Sequence, residues 1–152
     1  MSIKQAALSD LSLVKEISKV TISEIYPHYY PKGAVEFFLA HHSEANICND
    51  IKLQRVYLCF DIMQNVAGTV TIKANEICRL FVLPAYQGKG YGTEMLEFAE
   101  SLISYKYSKI ILSASLPAKN MYLKRRYKDT AYHIIPTGFG DFLCYDVMEK
   151  QV

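Results

Sequence analysis

Three glycines at alternate positions, Gly88, Gly90 and Gly92, separate an apolar run ending at Val82-Leu83-Pro84 from an amphipathic run beginning at Tyr91. Glycine at such a junction lets successive backbone N–H groups turn inward and lets a ligand approach without a Cβ in the way. The free amides and positive dipole end of a helix start then favour a phosphate or pyrophosphate, and Lys89 adds a formal charge. Two familiar phosphate loops are excluded by the letters. A dinucleotide pattern G-x-G-x-x-G would need glycine where Thr93 stands, and a Walker loop would need a lysine after Gly92. Residue types and spacing alone thus specify an anion cradle, or a turn that merely needs glycine, and no particular ligand.

A second concentration of chemistry lies between Tyr26 and His42. Tyr26, His28, Tyr29 and Tyr30 are followed by Phe37, Phe38, His41 and His42. Phe37 and Phe38 are expected in the core, and the tyrosines could line an amine pocket through cation–π contacts. The adjacent histidines read as a helix surface feature, with one of the pair pointing away from the other. The basic cluster Lys124-Arg125-Arg126-Tyr127-Lys128 complements a helix C-terminus or contacts a phosphorylated ligand.

Composition narrows the class. A net charge of +2 on 152 residues gives no electrostatic footprint for nucleic acid. The cysteines (Cys48, Cys59, Cys78, Cys144) lack metal-ligand spacing, so neither a structural metal nor a disulfide framework is expected. No apolar run reaches membrane-spanning length and Met1-Ser2-Ile3-Lys4-Gln5 lacks a signal-peptide apolar region, which together read as a soluble cytoplasmic protein.

The elements that must position these residues follow from hydrophobic period. Ile3–Ala7 reads as a strand, and helical spacing from Leu11 through Val14, Ile17 and Ile25 ends near Tyr26-Pro27. The prolines make Tyr26–Gly33 a loop, and Ala34–His42 resumes helical character. Arg55–Asp61, Val66–Lys73 and Glu76–Leu83 read as an antiparallel meander with turns at Gln64-Asn65 and Ala74-Asn75. A helix from Tyr91 to about Tyr105 separates Glu76–Leu83 from the strand Lys109–Ala114, which predicts that these two strands are parallel. Pro117 opens a helix to about Tyr127, and Tyr132–Ile135 with Phe142–Met148 form a final hairpin. The result is one domain over residues 1–152 of mixed α/β (α+β) class, with a mostly antiparallel sheet of six to seven strands flanked by about four helices.

Gln87-x-x-Gly90-x-Gly92, preceded by Arg79-Leu80-Phe81-Val82-Leu83-Pro84, resembles the acyl-CoA signature of the GNAT superfamily of N-acetyltransferases. Ala118–Tyr127 is similar to that family's A-x-x-x-Y-E-K-x-G-F helix, and the element order matches over nearly the whole chain. Two positions depart from the pattern: the glycine before the last aromatic is Arg126, and the asparagine seven positions before the helix tyrosine is Ser115.

The resemblance implies a GNAT-like fold and transfer of an acetyl group from acetyl-CoA to a small-molecule or peptide amine by direct attack, with no metal. It implies that Leu80, Phe81 and Val82 pair with the pantetheine arm, and that the pyrophosphate sits on the amides of Gly88, Lys89, Gly90, Tyr91, Gly92 and Thr93, with Gln87 and Ser115 alongside. It implies Tyr122 as proton donor to the departing thiolate. Glu76 is the candidate base, and a base acting through water is equally compatible. Tyr26, Tyr29 and Tyr30 are the candidate acceptor wall. No nucleic-acid or membrane partner is expected, and the final hairpin offers an edge for a homodimer. Two rivals share the glycine loop: a catalytically silent CoA-binding sensor that does not need Tyr122, and a nucleotide-phosphate binder preferring ATP or NAD.

Overall fold

The Val- and Thr-rich period-two run at residues 66–73 becomes one of the longest strands of the first half of the sheet. A computed structural model of the protein describes residues 1–152. Four antiparallel strands, β1 (Ser2–Gln5), β2 (Val56–Phe60), β3 (Val66–Lys73) and β4 (Glu76–Val82), lie side by side in that order. β5 (Lys109–Ala114) joins β4 in parallel, as its helical crossover requires. β7 (Phe142–Gln151) inserts antiparallel between β5 and β6 (Lys128–Pro136), giving seven strands in the order β1-β2-β3-β4-β5-β7-β6.

The helices divide between the two faces. α1 (Leu11–Ile25), α2 (Lys32–His41) and α3 (Glu44–Lys52) bury Val14, Ile17, Ala34, Ile47 and Ile51 against Leu58, Phe81 and Leu143. α4 (Tyr91–Ser104) and α5 (Leu116–Lys124) bury Met95, Leu96, Ile103 and Tyr122 against Val70, Ile77, Ile110 and Leu112. No helix is long and apolar enough to cross a membrane, and no group of three His, Cys, Asp or Glu side chains is placed to hold a metal ion.

The structure departs from the sequence reading in several places, three of them for clear local reasons. α3 is absent from that reading because its nine residues carry only two fully buried apolar side chains, Ile47 and Ile51; its start is marked by Ser43, whose hydroxyl accepts from the Asn46 amide. β6 begins at Lys128 instead of Tyr132, since nearly all of its residues are exposed and show no alternation. α5 stops at Lys124, three residues before Tyr127 and just ahead of the missing glycine's position. There Arg126 adopts φ 69°, the Tyr127 amide donates to the Tyr122 carbonyl at 3.1 Å, and the Arg126 amide donates to that of Leu123 at 3.0 Å. This is a Schellman stop built on arginine where glycine is usual.

Candidate functional site

The site begins where two strands part. β4 and β5 pair only at Glu76↔Ile111 and Ile77↔Leu112, although β4 runs on to Val82 and β5 to Ala114. The β3–β4 register shifts between Thr71↔Arg79 and Ile72↔Ile77, which leaves Cys78 as an extra, bulged residue. Such a bulge bends its strand and ends regular pairing. Beyond it, β4 stays bonded to β3, and the Leu83 amide donates to the Ala67 carbonyl at 2.9 Å. The antiparallel ladder alternates, so Leu80 and Val82 turn their main-chain groups away from β3 and into the cleft. The Val82 carbonyl accepts there from Gln87 Nε2 at 3.0 Å and from Thr21 Oγ1 at 3.4 Å. Phe81 spends its main chain on β3 and contributes its ring.

The glycine loop closes one end of the cleft around a cavity of about 390 Å³. Gly88 and Gly90 have φ of 71° and 91°, left-handed values at which a side chain would be strained, and open space surrounds both. Gly92 is different: its φ is ordinary, and a Cβ there would lie close to the wall, 3.3 Å from Met121 Sδ and 3.6 Å from Val82. Gly90 caps α4 without any side-chain cap, so the first amides of the helix remain available. The cavity is walled by Leu80, Phe81 and Val82 on one side and by Gln87, Gly88, Gly90, Gly92 and Thr93 at the loop. Ser115, Ala118 and Met121 form the opposite wall. Two loop side chains are engaged by their own neighbours. Lys89 Nζ donates to the Ala85 carbonyl at 2.8 Å, and the Tyr91 ring packs edge-on against Tyr86 at 5.2 Å.

A second cavity, of about 270 Å³, continues past the strand end, and Tyr26, Leu80, Phe81 and Ser115 border both. Tyr122 and Glu76 line this second cavity together, the first deeply buried and the second at its half-exposed rim. Burial, followed by the neighbouring Tyr26, pushes the Tyr122 hydroxyl well above its ordinary range, and it stays protonated at neutral pH. Tyr26 is raised for the same leading reason, with Ser115 pulling the other way. Of the three tyrosines expected at the acceptor wall, only Tyr26 lines either of these two cavities. Tyr30 is buried with its hydroxyl accepting from the Leu116 amide at 2.7 Å, which fixes the start of α5, and Tyr29 is half exposed.

Beneath the second cavity lies a buried polar network that the sequence reading lacks. Arg79, 3% exposed at its side chain, donates to His42 Nδ1 at 3.2 Å, Thr71 Oγ1 at 2.7 Å and Asp50 Oδ2 at 3.3 Å. Lys73 Nζ lies 3.0 Å from the other Asp50 oxygen. The sequence signal was an arginine inside the apolar run Ile77–Val82, where burial demands a partner. His42 is half-buried and engaged by this network: burial first, and Arg79 next, push its pKa down to about 3, and the neutral ring accepts on Nδ1. Its neighbour His41 sits at the cavity rim, stacked on Phe37 at 6.1 Å, and is lowered by partial burial and by Arg79 and Lys73. Of the basic cluster at the end of α5, Arg125 is the member tied to protein by ion pairs. Arg125 bonds Glu97 and Glu100 of α4, each at 2.8 Å.

Residues 25–139 match the family model described as an acetyltransferase (GNAT) domain. Among solved structures, a GCN5-related N-acetyltransferase from Rhodopseudomonas palustris superposes with a TM-score of 0.89 at 20% identity, over 99% of this chain and 95% of that one. PaiA N-acetyltransferase from Thermoplasma acidophilum, in complex with coenzyme A, gives 0.72 at 21% identity over 99% and 98% of the two chains. YncA from Salmonella typhimurium, with its cofactor acetyl-CoA, gives 0.70 at 18% identity over 99% and 93%. At these identities the likeness establishes the fold. No curated protein matches the sequence closely enough to count as a relative.

Proposed function

The chain belongs to the GNAT acetyltransferase family, and from that premise we propose that it is an acetyl-CoA-dependent N-acetyltransferase acting on a primary amine in the cytoplasm. The observation that carries this reading is the pair of cavities that share Tyr26, Leu80, Phe81 and Ser115. A donor lying along β4 and an acceptor entering from the other side would meet there without crossing. The glycine cradle suits the donor, because Gly88 and Gly90 face open space and the first amides of α4 lack side-chain caps. PaiA with coenzyme A and YncA with acetyl-CoA support the same reading.

Acetyl-CoA would supply the thioester whose acetyl group passes to the amine nitrogen. The main-chain groups of Leu80 and Val82 would hold the pantetheine arm as an added strand, and one amide there would hydrogen-bond the thioester carbonyl. Gln87, already seated on the Val82 carbonyl, fixes the loop to the strand end. Tyr122, protonated because it is buried, would hydrogen-bond the sulfur as negative charge develops on it. An acceptor ammonium is only about one part in a thousand neutral at pH 7. Glu76, at the rim through which the acceptor enters, would take that proton directly or through water.

The test is CoA release with an amine panel, for the wild type and Tyr122→Phe. The variant should lose about 100-fold in kcat with little change in the KM for acetyl-CoA. Tight acetyl-CoA binding without turnover on any amine would instead identify a CoA-binding sensor.

A further inference from the structure

The walls of the second cavity carry enough chemistry to select among amines. We propose, on the reading that acetyl transfer occurs there, that the acceptor is a compact primary monoamine with an aryl or similarly flat apolar body and no anionic group.

Shape gives the first argument. Rings reach the cavity from four directions: Phe37 and Phe38 of α2, Phe81 of β4, Tyr122 of α5 and Tyr145 of β7, with Tyr26 at the junction. Several already meet edge-to-face, Tyr26 and Phe38 at 4.7 Å and 83°, Phe37 and Phe38 at 6.4 Å and 79°. A flat body completes such a set, because each ring presents a face or an edge to it. The volume of about 270 Å³ falls below the ~300–1,000 Å³ of sites for drug-sized ligands, so one ring and a short chain are the scale that fits.

Charge gives the second argument, by accounting for the carboxylate and the basic groups that line the cavity. Glu76 is the sole carboxylate lining the cavity. Asp50 is behind the wall and engaged by Arg79 and Lys73. One ammonium would find a partner at the rim, and the further ammoniums of a polyamine would not. Arg79 is the sole cationic side chain in the lining; its charge is paired with Asp50, and each of its three nitrogens already donates one hydrogen bond, to His42, Thr71 and Asp50. The carboxylate of an amino acid, or a phosphate, would meet no free cation. His41 adds none, because partial burial together with Arg79 and Lys73 favours its neutral form, against the opposite pull of Asp50 and Glu76. A buried group left unpaired is rejected far more strongly than a missing methylene.

The experiment measures kcat/KM by CoA release for 2-phenylethylamine, tyramine, spermidine, L-lysine and an alanine-initiated peptide. The aryl amines should exceed the other three by at least about 10-fold, the discrimination expected from one unsatisfied polar group. Phe37→Ala should lower kcat/KM for 2-phenylethylamine by about 10-fold, the scale of one lost ring pair, while the KM for acetyl-CoA is unchanged. Tyr145→Leu makes the same test from β7 should the first variant loosen α2. Preference for spermidine, lysine or the peptide, or equal rates for all five, would overturn the proposal and leave the acetyltransferase reading standing. Failure of acetyl-CoA to bind at all would overturn both.

Discussion

Arg126→Gly should stabilise the protein, and the reason lies entirely in the backbone. Arg126 occupies the left-handed position after α5, at φ 69°, and two main-chain bonds to the Tyr122 and Leu123 carbonyls hold it there. An L-residue pays roughly 1–2 kcal/mol in that region, which glycine does not. The arginine side chain is exposed and takes part in none of the ion pairs, so its removal costs nothing in contacts. Against the gain stands the greater freedom of glycine in the unfolded chain, about 0.4–1 kcal/mol. The net expectation is stabilisation by about 1 kcal/mol, which for a chain of this length raises Tm by about 2–4 °C. Calorimetry and urea denaturation would measure it, with Arg126→Ala as the control that removes the charge and keeps the strained conformation. If Arg126→Gly leaves Tm unchanged or lowers it, or if Arg126→Ala stabilises equally, the backbone argument is wrong.

The remaining predictions concern the cradle and the buried network. Gly92→Leu should project into the space beside Met121 and Val82 and raise the KM for acetyl-CoA at least about 10-fold, whereas Gly92→Ala, whose Cβ needs only a small shift of the flexible Met121, should be nearly neutral. The pH dependence of stability should carry a signature of His42. Its folded pKa is depressed to about 3 against an ordinary 6.5, so below pH 6.5 the unfolded state binds a proton that the folded state refuses. Stability should therefore fall as pH drops from 6.5 toward 3, with a contribution approaching about 1.4 kcal/mol per pH unit, and His42→Gln should remove that contribution from urea-melt profiles between pH 6.5 and 5.

The fold was legible wherever one face of an element is buried and the other is not. β4 alternates, β3 is a Val- and Thr-rich run buried on both faces, α1 and α4 carry apolar stripes, and a helix between β4 and β5 forces the parallel pairing that then opens the cleft. Legibility failed where burial is slight or complete on neither side: α3 hides two inward isoleucines among polar letters, and β6 is exposed along nearly all of its length. In the site, the glycine register located the cradle because φ above zero at Gly88 and Gly90 is a demand on residue type itself. Lys89, Tyr29 and Tyr30 illustrate the opposite case. Their types suit ligand contact, but direction is set by neighbours distant in sequence: Lys89 is drawn to the Ala85 carbonyl, and Tyr30 is spent on the Leu116 amide. The same limit concealed the His42–Arg79–Asp50 network, whose members come from three elements brought together only by folding.

The central claim, that the glycine cradle and the freed edge of β4 are built for acetyl-CoA, is tested most directly by calorimetric titration of the wild-type protein with acetyl-CoA, ATP and NAD. The account predicts saturable one-to-one binding of acetyl-CoA, with ATP and NAD each at least about 10-fold weaker because neither offers a pantetheine arm to Leu80 and Val82. Tighter binding of ATP or NAD than of acetyl-CoA, or no binding of acetyl-CoA at all, would contradict it.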